Sequence, residues 1–170
     1  LLNIALMALF VFRDDIFANG KDEMEFMISM NPGEPIRPLK DVASGGELSR
    51  IMLAIKTVMS DKDDIETLIF DEIDVGISGR TAQKVSEKMA YIAKNHQVIC
   101  ITHLAQIAAM ADAHYGIEKQ VIDGKTKTHI SLLDEKEEIE ELARILGGAE
   151  ITETVIQSAL EMKQLAKRTK

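Results

Sequence analysis

Two short apolar runs, each ending in residues that can carry chemistry, constrain the fold of this chain more than any other feature. The first run, Thr67–Phe70, leads into two acidic residues, and the second, Val98–Ile101, leads into a threonine and a histidine. Between them, apolar residues recur at helical spacing, at Ala82, Val85, Met89, Ile92 and Ala93. The order strand, helix, strand predicts a right-handed crossover in a parallel sheet whose strands are buried on both faces. The predicted fold class is α/β, a largely parallel sheet flanked by helices.

Periodicity also predicts the elements before this unit. Glu23–Met30 has the character of a strand and is followed by a proline-rich turn over residues 31–38. From Glu47 onward the spacing predicts an amphipathic helix that ends near the charged residues 60–64. Its apolar positions are Leu48, Ile51, Met52, Ile55, Val58 and Met59.

The last third of the chain is predicted to hold a hairpin and two helices. The dipeptide Asp123-Gly124 lies between two β-rich segments and is favoured in tight hairpin turns. An acidic helix is predicted from Glu135 to the glycines at 147 and 148, because glycine is common just past a helix end. A final amphipathic helix carries Val155, Ile156, Ala159 and Met162.

Composition narrows the class of protein. The chain has 170 residues, of which 46% are apolar, and this length predicts a single domain over residues 1–170. No apolar run approaches the roughly 20 residues of a membrane helix, and we interpret the stretch Leu1–Phe12 as a buried strand or helix piece. The single cysteine, Cys100, is predicted to be a core residue of a protein in the reducing cytoplasm.

Charge argues against this segment as the main contact for nucleic acid. The net charge is −8, whereas surfaces that bind nucleic acid usually carry clustered lysine and arginine. Lysine and arginine cluster only at the end of the chain, in residues 163–170, and cations there also suit the C-terminal end of a helix.

The tetrapeptide Ser44-Gly45-Gly46-Glu47 stands directly before the first strong helix and has two interpretations. Ser44 and Glu47 have the spacing of a capping box. Two successive glycines in a first helical turn cost stability, however, and they would let a polyanion approach the backbone N–H groups at the positive end of the helix. The residues alone do not decide between a cap and a phosphate site.

Asp71 and Glu72 stand at the carboxyl end of the first predicted strand, where ligands bind in open parallel sheets. For phosphoryl transfer, Asp71 would support Mg²⁺ and Glu72 would act as the general base that polarises a water molecule. The alternative is a solvated strand end with no chemical role.

His103 follows the second predicted strand and should emerge at the same edge, where it could touch a phosphate. A helix cap is the alternative for this side chain. The other histidines, His96, His114 and His129, show no metal-ligand spacing with each other or with the cysteine, so no zinc site is predicted. A loop with Asp74, Gly76, Ser78 and Gly79 connects the acidic residues to the next helix, and Ser78 is predicted to cap that helix.

The order of these motifs resembles the C-terminal half of an ABC-type ATPase head. The strings VASGGELSRIMLAIKTV, TLIFDEIDVGISGR and ITHLAQIAAMAD are similar to those of the RecN family of bacterial DNA-repair ATPases, whose heads are SMC-like. The resemblance runs from about Glu23 to the C-terminus, whereas residues 1–22 match poorly. It implies the C-terminal lobe of a P-loop NTPase head that ends in a β-hairpin and helices.

The resemblance implies a role for each motif. Ser44, Gly45 and Gly46, with Glu47 beside them, would form the signature loop that contacts the γ-phosphate of ATP held by a second head of a homodimer. Asp71 would support Mg²⁺ as the Walker B residue, and Glu72 would be the catalytic base. Asp74 would belong to the nucleotide-responsive loop that signals between heads, and His103 would be the switch histidine.

The sequence also departs from the family pattern. It contains no G-x-x-x-x-G-K-[ST] motif and no sustained heptads, so we expect a separated lobe that needs an N-terminal, P-loop-bearing half to hydrolyse ATP. The full protein is expected to be cytoplasmic, associated with the nucleoid, and to engage DNA. Two alternatives are an isolated docking lobe or inert fragment, and a transporter ATPase subunit. A transporter typically has a proline after the acidic pair, where this chain has Ile73.

Overall fold

The structure, a computed structural model, describes residues 5–18, 20–29, 33–42, 44–59, 64–122, 124–148 and 150–170. The chain divides into two compact units, Leu1–Gly45 and Gly46–Lys170, where its length predicts one. The reason is local pairing: the strands of the first unit pair with each other, and both hydrophobic core clusters consist of residues from Leu53 onward.

The described strands and helices alternate along the chain. They are β1 (Ala5–Phe17), β2 (Gly20–Ser29), β3 (Arg37–Pro38), α1 (Leu39–Val42), α2 (Gly45–Met59), β4 (Thr67–Phe70), α3 (Gly79–Ile92), β5 (Gln97–Cys100), α4 (Ala105–Ala108), β6 (Tyr115–Ile122), β7 (Lys125–Leu132), α5 (Glu135–Gly147) and α6 (Glu153–Thr169).

The first unit is a three-stranded antiparallel sheet in the order β1-β2-β3. Leu6 pairs with Ile28, which is buried, and the register shifts between Phe12 and Phe17. The strand predicted over Glu23–Met30 is confirmed as β2, although residues 30–32 of the predicted strand end and turn lie outside the described residues. The buried piece expected near the N-terminus is wrong where side chains are described, because Leu9 and Val11 are exposed.

The second unit confirms the α/β class, and its parallel part is smaller than the resemblance implies. β4 and β5 pair in parallel across the crossover helix α3, whereas β6 and β7 form an antiparallel hairpin. Short links explain the antiparallel sheets, since two strands joined by a tight turn can only run in opposite directions. The predicted hairpin is confirmed, with Gly124 at φ 72°, and Asp123 lies outside the described residues.

The predicted helices are present, but the buried face of α2 differs from its sequence pattern. Ile51 and Leu53 are buried, while Leu48, Met52, Val58 and Met59 are exposed. The face of α3 agrees with its prediction at Ala82, Val85, Met89 and Ile92. In α5 a capping box at Asp134 and Glu137 begins the helix, and Gly148, at φ 66°, follows its end as predicted.

Two core clusters hold the second unit together. The first joins β4, α3 and their neighbours through Leu53, Leu68, Phe70, Ile73, Val85, Met89, Ile92 and Ile107. The second is alanine-rich and joins α4, α5 and α6 through Ala105, Ala108, Ala109, Met110, Leu142, Ala143, Ala159 and Ala166. Small side chains let these helices approach closely. Among the residues that the structure describes, no helix is long and apolar enough to cross a membrane.

Candidate functional site

The parallel pair β4 and β5 brings the predicted chemical residues to one edge. Phe70 pairs with Cys100 at the carboxyl ends of the two strands, and the Ile101 amide donates to the Phe70 carbonyl at 3.1 Å. Asp71 and Glu72 directly follow the first of these ends, and His103 comes three residues after the second. Ligands bind at this edge in open parallel sheets.

Asp71 is exposed, and one of its two carboxylate oxygens accepts a hydrogen bond. Its Oδ1 accepts a hydrogen bond from the Glu72 amide at 2.9 Å, and its backbone carbonyl accepts one from the Ser49 hydroxyl at 2.8 Å. Within the described part of the chain, Oδ2 takes no hydrogen bond. The backbone of Asp71 is therefore fixed while one carboxylate oxygen faces solvent.

Glu72 has a backbone conformation that sets it apart. Its φ is 57°, and no other non-glycine residue among those described has a positive φ. Residues held in this left-handed region cost about 1–3 kcal/mol and cluster at functional sites. The Glu72 carbonyl accepts the Val75 amide at 3.0 Å, so a tight turn maintains the conformation, and the exposed side chain makes no hydrogen bond to the described residues.

The N-terminal part of α2 supports this turn of residues 72–75. The Arg50 guanidinium donates to the carbonyls of Ile73 and Val75, at 3.0 and 2.9 Å. A Cβ at Gly46 would stand only 2.7 Å from the Glu72 carbonyl oxygen, closer than real Cβ atoms come. The packing of two backbones is thus a structural reason for the glycine at 46, beside the phosphate approach predicted from the sequence.

Sequence reasoning missed Ser49 and Arg50 as supports of the acidic turn. The available signal was their spacing, because Gly46, Ser49 and Arg50 stand at i, i+3 and i+4 and so share one face of the helix. A small residue and two hydrogen-bond donors on that face indicate close contact with a polar backbone. Ser44 and Gly45 stand immediately before this face, Ser44 exposed and Gly45 the first residue of α2.

Asp74 is the most heavily engaged of the predicted site residues. Its carboxylate is 3% exposed. Oδ2 lies 2.6 Å from the Thr102 hydroxyl, 2.9 Å from the His103 amide and 3.0 Å from His103 Nδ1. Burial raises the pKa of this carboxyl, but the hydrogen bonds from Thr102 and His103 and the nearby imidazole outweigh burial, so the net pKa is lowered. Asp74, which the resemblance places in the loop that signals between heads, is therefore buried and held by donors from the loop after β5.

His103 is exposed and yet anchored. Its side chain is 71% exposed, and Nδ1 lies 3.0 Å from Oδ2 of the buried Asp74. The alternative of a helix cap is wrong, because the N-cap residue of α4 is Leu104. Ser78 does occupy the N-cap position of α3, but its side chain makes no capping hydrogen bond, which corrects the prediction for that residue.

The donor set at this edge fits a magnesium ion held partly by its substrate. In the described residues no three histidine, cysteine, aspartate or glutamate side chains converge on one point. Mg²⁺ in phosphoryl-transfer sites is commonly held by one or two carboxylates together with phosphate oxygens and water. The open Oδ2 of Asp71 provides one such carboxylate oxygen.

Cys100 lies beneath this edge as a free thiol. Burial, then the charges of Asp74 and Asp71, raise the pKa of the thiol to about 12. A thiolate is the reactive form, so the group is chemically quiet at neutral pH. The prediction that Cys100 is a structural residue agrees with its packing against the first core cluster.

Comparison with known proteins identifies the family of this segment. The chain is 49% identical over 148 residues to the DNA repair protein RecN of Halalkalibacterium halodurans, and 46% identical over 151 residues to that of Bacillus subtilis. These alignments cover 87% and 89% of the chain. The chain is a homologue of RecN. The predicted resemblance is confirmed, although no family model matches the chain.

The chain spans about a quarter of the length of these RecN relatives, 26% in both cases. A solved structure supports the fold: the Smc head domain with a coiled coil and joint from Pyrococcus yayanosii has a TM-score of 0.58. It is 20% identical, and the similarity covers 81% of this chain and 25% of that one. The segment therefore has the fold of an Smc head domain, and it is a RecN-like head segment.

Proposed function

We propose that this chain supplies the hydrolytic and phosphate-sensing edge of a RecN-like ATPase head. The observation that supports the proposal is the joint emergence of Asp71, Glu72 and His103 at the carboxyl edge of a parallel strand pair, with Glu72 held at φ 57°. A solvated strand end would need neither the positive φ nor the clamp from Arg50. Both cost stability or side-chain freedom, and a functional site justifies them.

In this proposal Glu72 is the general base. Its carboxylate takes a proton from a water molecule, the water oxygen attacks the γ-phosphorus of ATP, and the bond from that phosphorus to the β–γ bridging oxygen breaks to give ADP and phosphate. The exposed carboxylate on a rigid turn suits this task, because the base must reach water in a fixed direction. His103 would meet the γ-phosphate or the attacking water.

Asp71 would hold Mg²⁺ through its open oxygen. When bound, the ion would neutralise charge on the phosphate oxygens. Ser49 and the Glu72 amide fix the Asp71 backbone and its other carboxylate oxygen, so the open oxygen has a defined direction.

The signature loop would act on a second copy of the head. Ser44, Gly45 and Gly46, with Glu47 beside them, would present backbone N–H groups at the start of α2 to the γ-phosphate of ATP held by the other subunit of a homodimer. The clamp between Arg50 and the carbonyls of Ile73 and Val75 connects the start of the same helix to the catalytic turn. Phosphate binding at the signature loop of this chain would thus affect the position of its catalytic base, Glu72, which belongs to the other site of the dimer.

The rest of the head would cover the exposed face of β4 and β5. Ile69, Ile99 and Ile101 are 69%, 45% and 54% exposed, although both faces of a parallel strand pair normally carry a covering layer. We assign this face to the P-loop-bearing half, since about three quarters of each RecN relative lies outside the matched segment. The completed protein would act in DNA repair in the cytoplasm, at the nucleoid, and would engage DNA through its other parts.

Substitution of the base tests the proposal. In a head completed with the P-loop half, Glu72→Gln should retain ATP binding and reduce turnover by about 10²–10⁴-fold, the usual contribution of a general base. Glu66→Gln is the matched control, because Glu66 is exposed and precedes the same strand at its opposite end. Equal turnover in the two variants would contradict the assignment of Glu72.

An isolated docking lobe or inert fragment is the second candidate. The uncovered isoleucine face and the lack of a P-loop motif in the sequence favour it for the chain by itself. It differs from the first proposal in one outcome: such a lobe would bind the P-loop half without restoring hydrolysis.

A further inference from the structure

An exposed imidazole with a fixed ring requires an explanation. The His103 side chain is 71% exposed, and exposed side chains normally exchange rotamers freely. Its Nδ1 nevertheless lies 3.0 Å from Oδ2 of Asp74, a carboxylate removed from solvent. One ring nitrogen therefore lies beside a buried carboxylate, although most of the side chain is exposed.

Asp74 is itself held rigidly. The Thr102 hydroxyl donates to Oδ2 at 2.6 Å and the His103 amide donates at 2.9 Å, so the loop after β5 surrounds this oxygen with donors. On its own side, Asp74 belongs to the turn that Arg50 clamps through the flanking carbonyls of Ile73 and Val75. The carboxylate thus bridges the turn that carries Glu72 and the loop that carries His103.

The bridge has a chemical consequence for the second ring nitrogen. A carboxylate can only accept, so a ring nitrogen 3.0 Å from it is favoured in the form that carries a proton. In the neutral ring Nε2 is then a lone-pair acceptor for a water hydrogen, and in the protonated ring it is a donor to a phosphate oxygen. An untied ring could instead place either nitrogen outward.

We propose that Asp74 is a positioning residue for His103: it fixes the ring orientation and the Nδ1–H tautomer so that Nε2 faces the nucleotide edge. The proposal rests on the proposed function and refines it. Because the bridge joins the Glu72 turn to the His103 loop within one chain, a shift of either element would displace the other.

The tautomer can be measured on this chain alone. Long-range ¹H–¹⁵N correlation spectra at about pH 9, where an ordinary imidazole is neutral, would report which ring nitrogen of His103 carries the proton. His103→Gln assigns the signals by their loss. We expect a single Nδ1–H tautomer in the native chain, a mixture of tautomers in Asp74→Ala, and retention in Asp74→Asn, whose amide oxygen can accept the same hydrogen bonds.

Asp112→Ala is the control, since Asp112 is an exposed aspartate of the same unit whose carboxylate pairs with Lys170. It should leave the His103 signals unchanged. An Nε2–H tautomer in the native chain would overturn the proposal, and so would an unchanged tautomer in folded Asp74→Ala. If Asp74→Ala does not fold, the spectrum of the native chain still tests the proposal, because an Nε2–H tautomer of His103 in the native chain is sufficient to reject it.

Turnover in the completed head gives the second readout. Asp74→Ala should lower kcat by about 10²-fold, the usual effect of a 1 Å misplacement, with a smaller change in KM. The double variant Asp74→Ala/His103→Gln should have nearly the same kcat as His103→Gln alone, because both substitutions disrupt the same Asp74–His103 pair. If the completed head has no ATPase activity but His103 shows the expected tautomers, only the proposed function is rejected. If the head is active but Asp74→Ala has the same His103 tautomer as the native chain, only the positioning role of Asp74 is rejected.

Discussion

The two faces of the β4–β5 pair have similar composition and opposite surroundings. On one face Leu68 and Phe70 are buried in the first core cluster beneath α3. On the other, Ile69, Ile99 and Ile101 are exposed. A strand that is apolar on both sides is built for a sheet between two layers, and this chain provides one of them. The contrast teaches that the segment folds around its own core and leaves one apolar face of the strand pair exposed, the face that we assign to the P-loop-bearing half.

The same contrast applies to the carboxylates at the edge. Asp74 is buried and saturated with donors, whereas Asp71 and Glu72 are exposed and each has at least one carboxylate oxygen free of hydrogen bonds from the described residues. Burial suits a positioning role, and exposure suits groups that meet an ion or a water molecule. The roles we propose for the three acids therefore follow from their surroundings as much as from their order in the sequence.

The largest expected effect comes from one substitution made on each face. Leu68→Thr should lower the free energy of unfolding by about 2–5 kcal/mol, because it leaves a cavity and buries a hydroxyl. Ile69→Thr keeps a β-branched residue on the exposed face and should change it by about 0.5 kcal/mol or less. Chemical denaturation of the two variants measures both. Equal losses would mean that both faces are covered in the isolated chain.

A smaller effect should separate the buried and exposed acids by pH. The pKa of Asp74 is lowered from 3.8 on folding, so its charge stabilises the fold above that value, and the contribution is lost as pH falls through the lowered pKa. We expect Asp74→Asn to weaken the decline in the free energy of unfolding below about pH 4. Asp71→Asn should leave this decline in place. The comparison fails if both variants show the same acid dependence as the native chain.

The third comparison, which should change stability least, measures how fast a thiol on each face of the strand pair reacts. Cys100 has a pKa raised to about 12, chiefly by burial and then by Asp74 and Asp71. An Ile69→Cys thiol on the exposed face should have an ordinary pKa and react about a thousandfold faster with a disulfide reagent at pH 8. Rapid labelling of Cys100 in the native chain would show that its side of the sheet is open.

Much of the fold could be predicted because periodicity is a local property. The strands at β2 and β4, the helices from α2 onward and the hairpin all follow from spacing and turn residues. Exposure could not be predicted in the same way. The pattern of α2 marked Leu48, Met52 and Val58 as buried, and they are exposed, because an apolar pattern shows what a helix can bury and not which layers this segment contains.

The candidate site also combines features that the sequence predicts with long-range contacts that it does not. The shared edge of Asp71, Glu72 and His103 follows from strand order. The bridge from Asp74 to Thr102 and His103 spans 28 and 29 residues, and it depends on the turn that Glu72 begins at a positive φ. No local sequence pattern predicts a contact between residues so far apart in the chain. The clamp from Arg50, which reaches 23 and 25 residues ahead, is equally non-local.

We propose that this chain is a catalytic part of a head that a P-loop half completes. The decisive measurement is ATP hydrolysis by the chain alone and after mixing with a matching P-loop-bearing N-terminal half of a RecN protein. We predict turnover in the mixture only, and its loss when the half is mixed with the Glu72→Gln chain. A mixture that forms a complex without turnover would contradict the claim and favour the docking lobe.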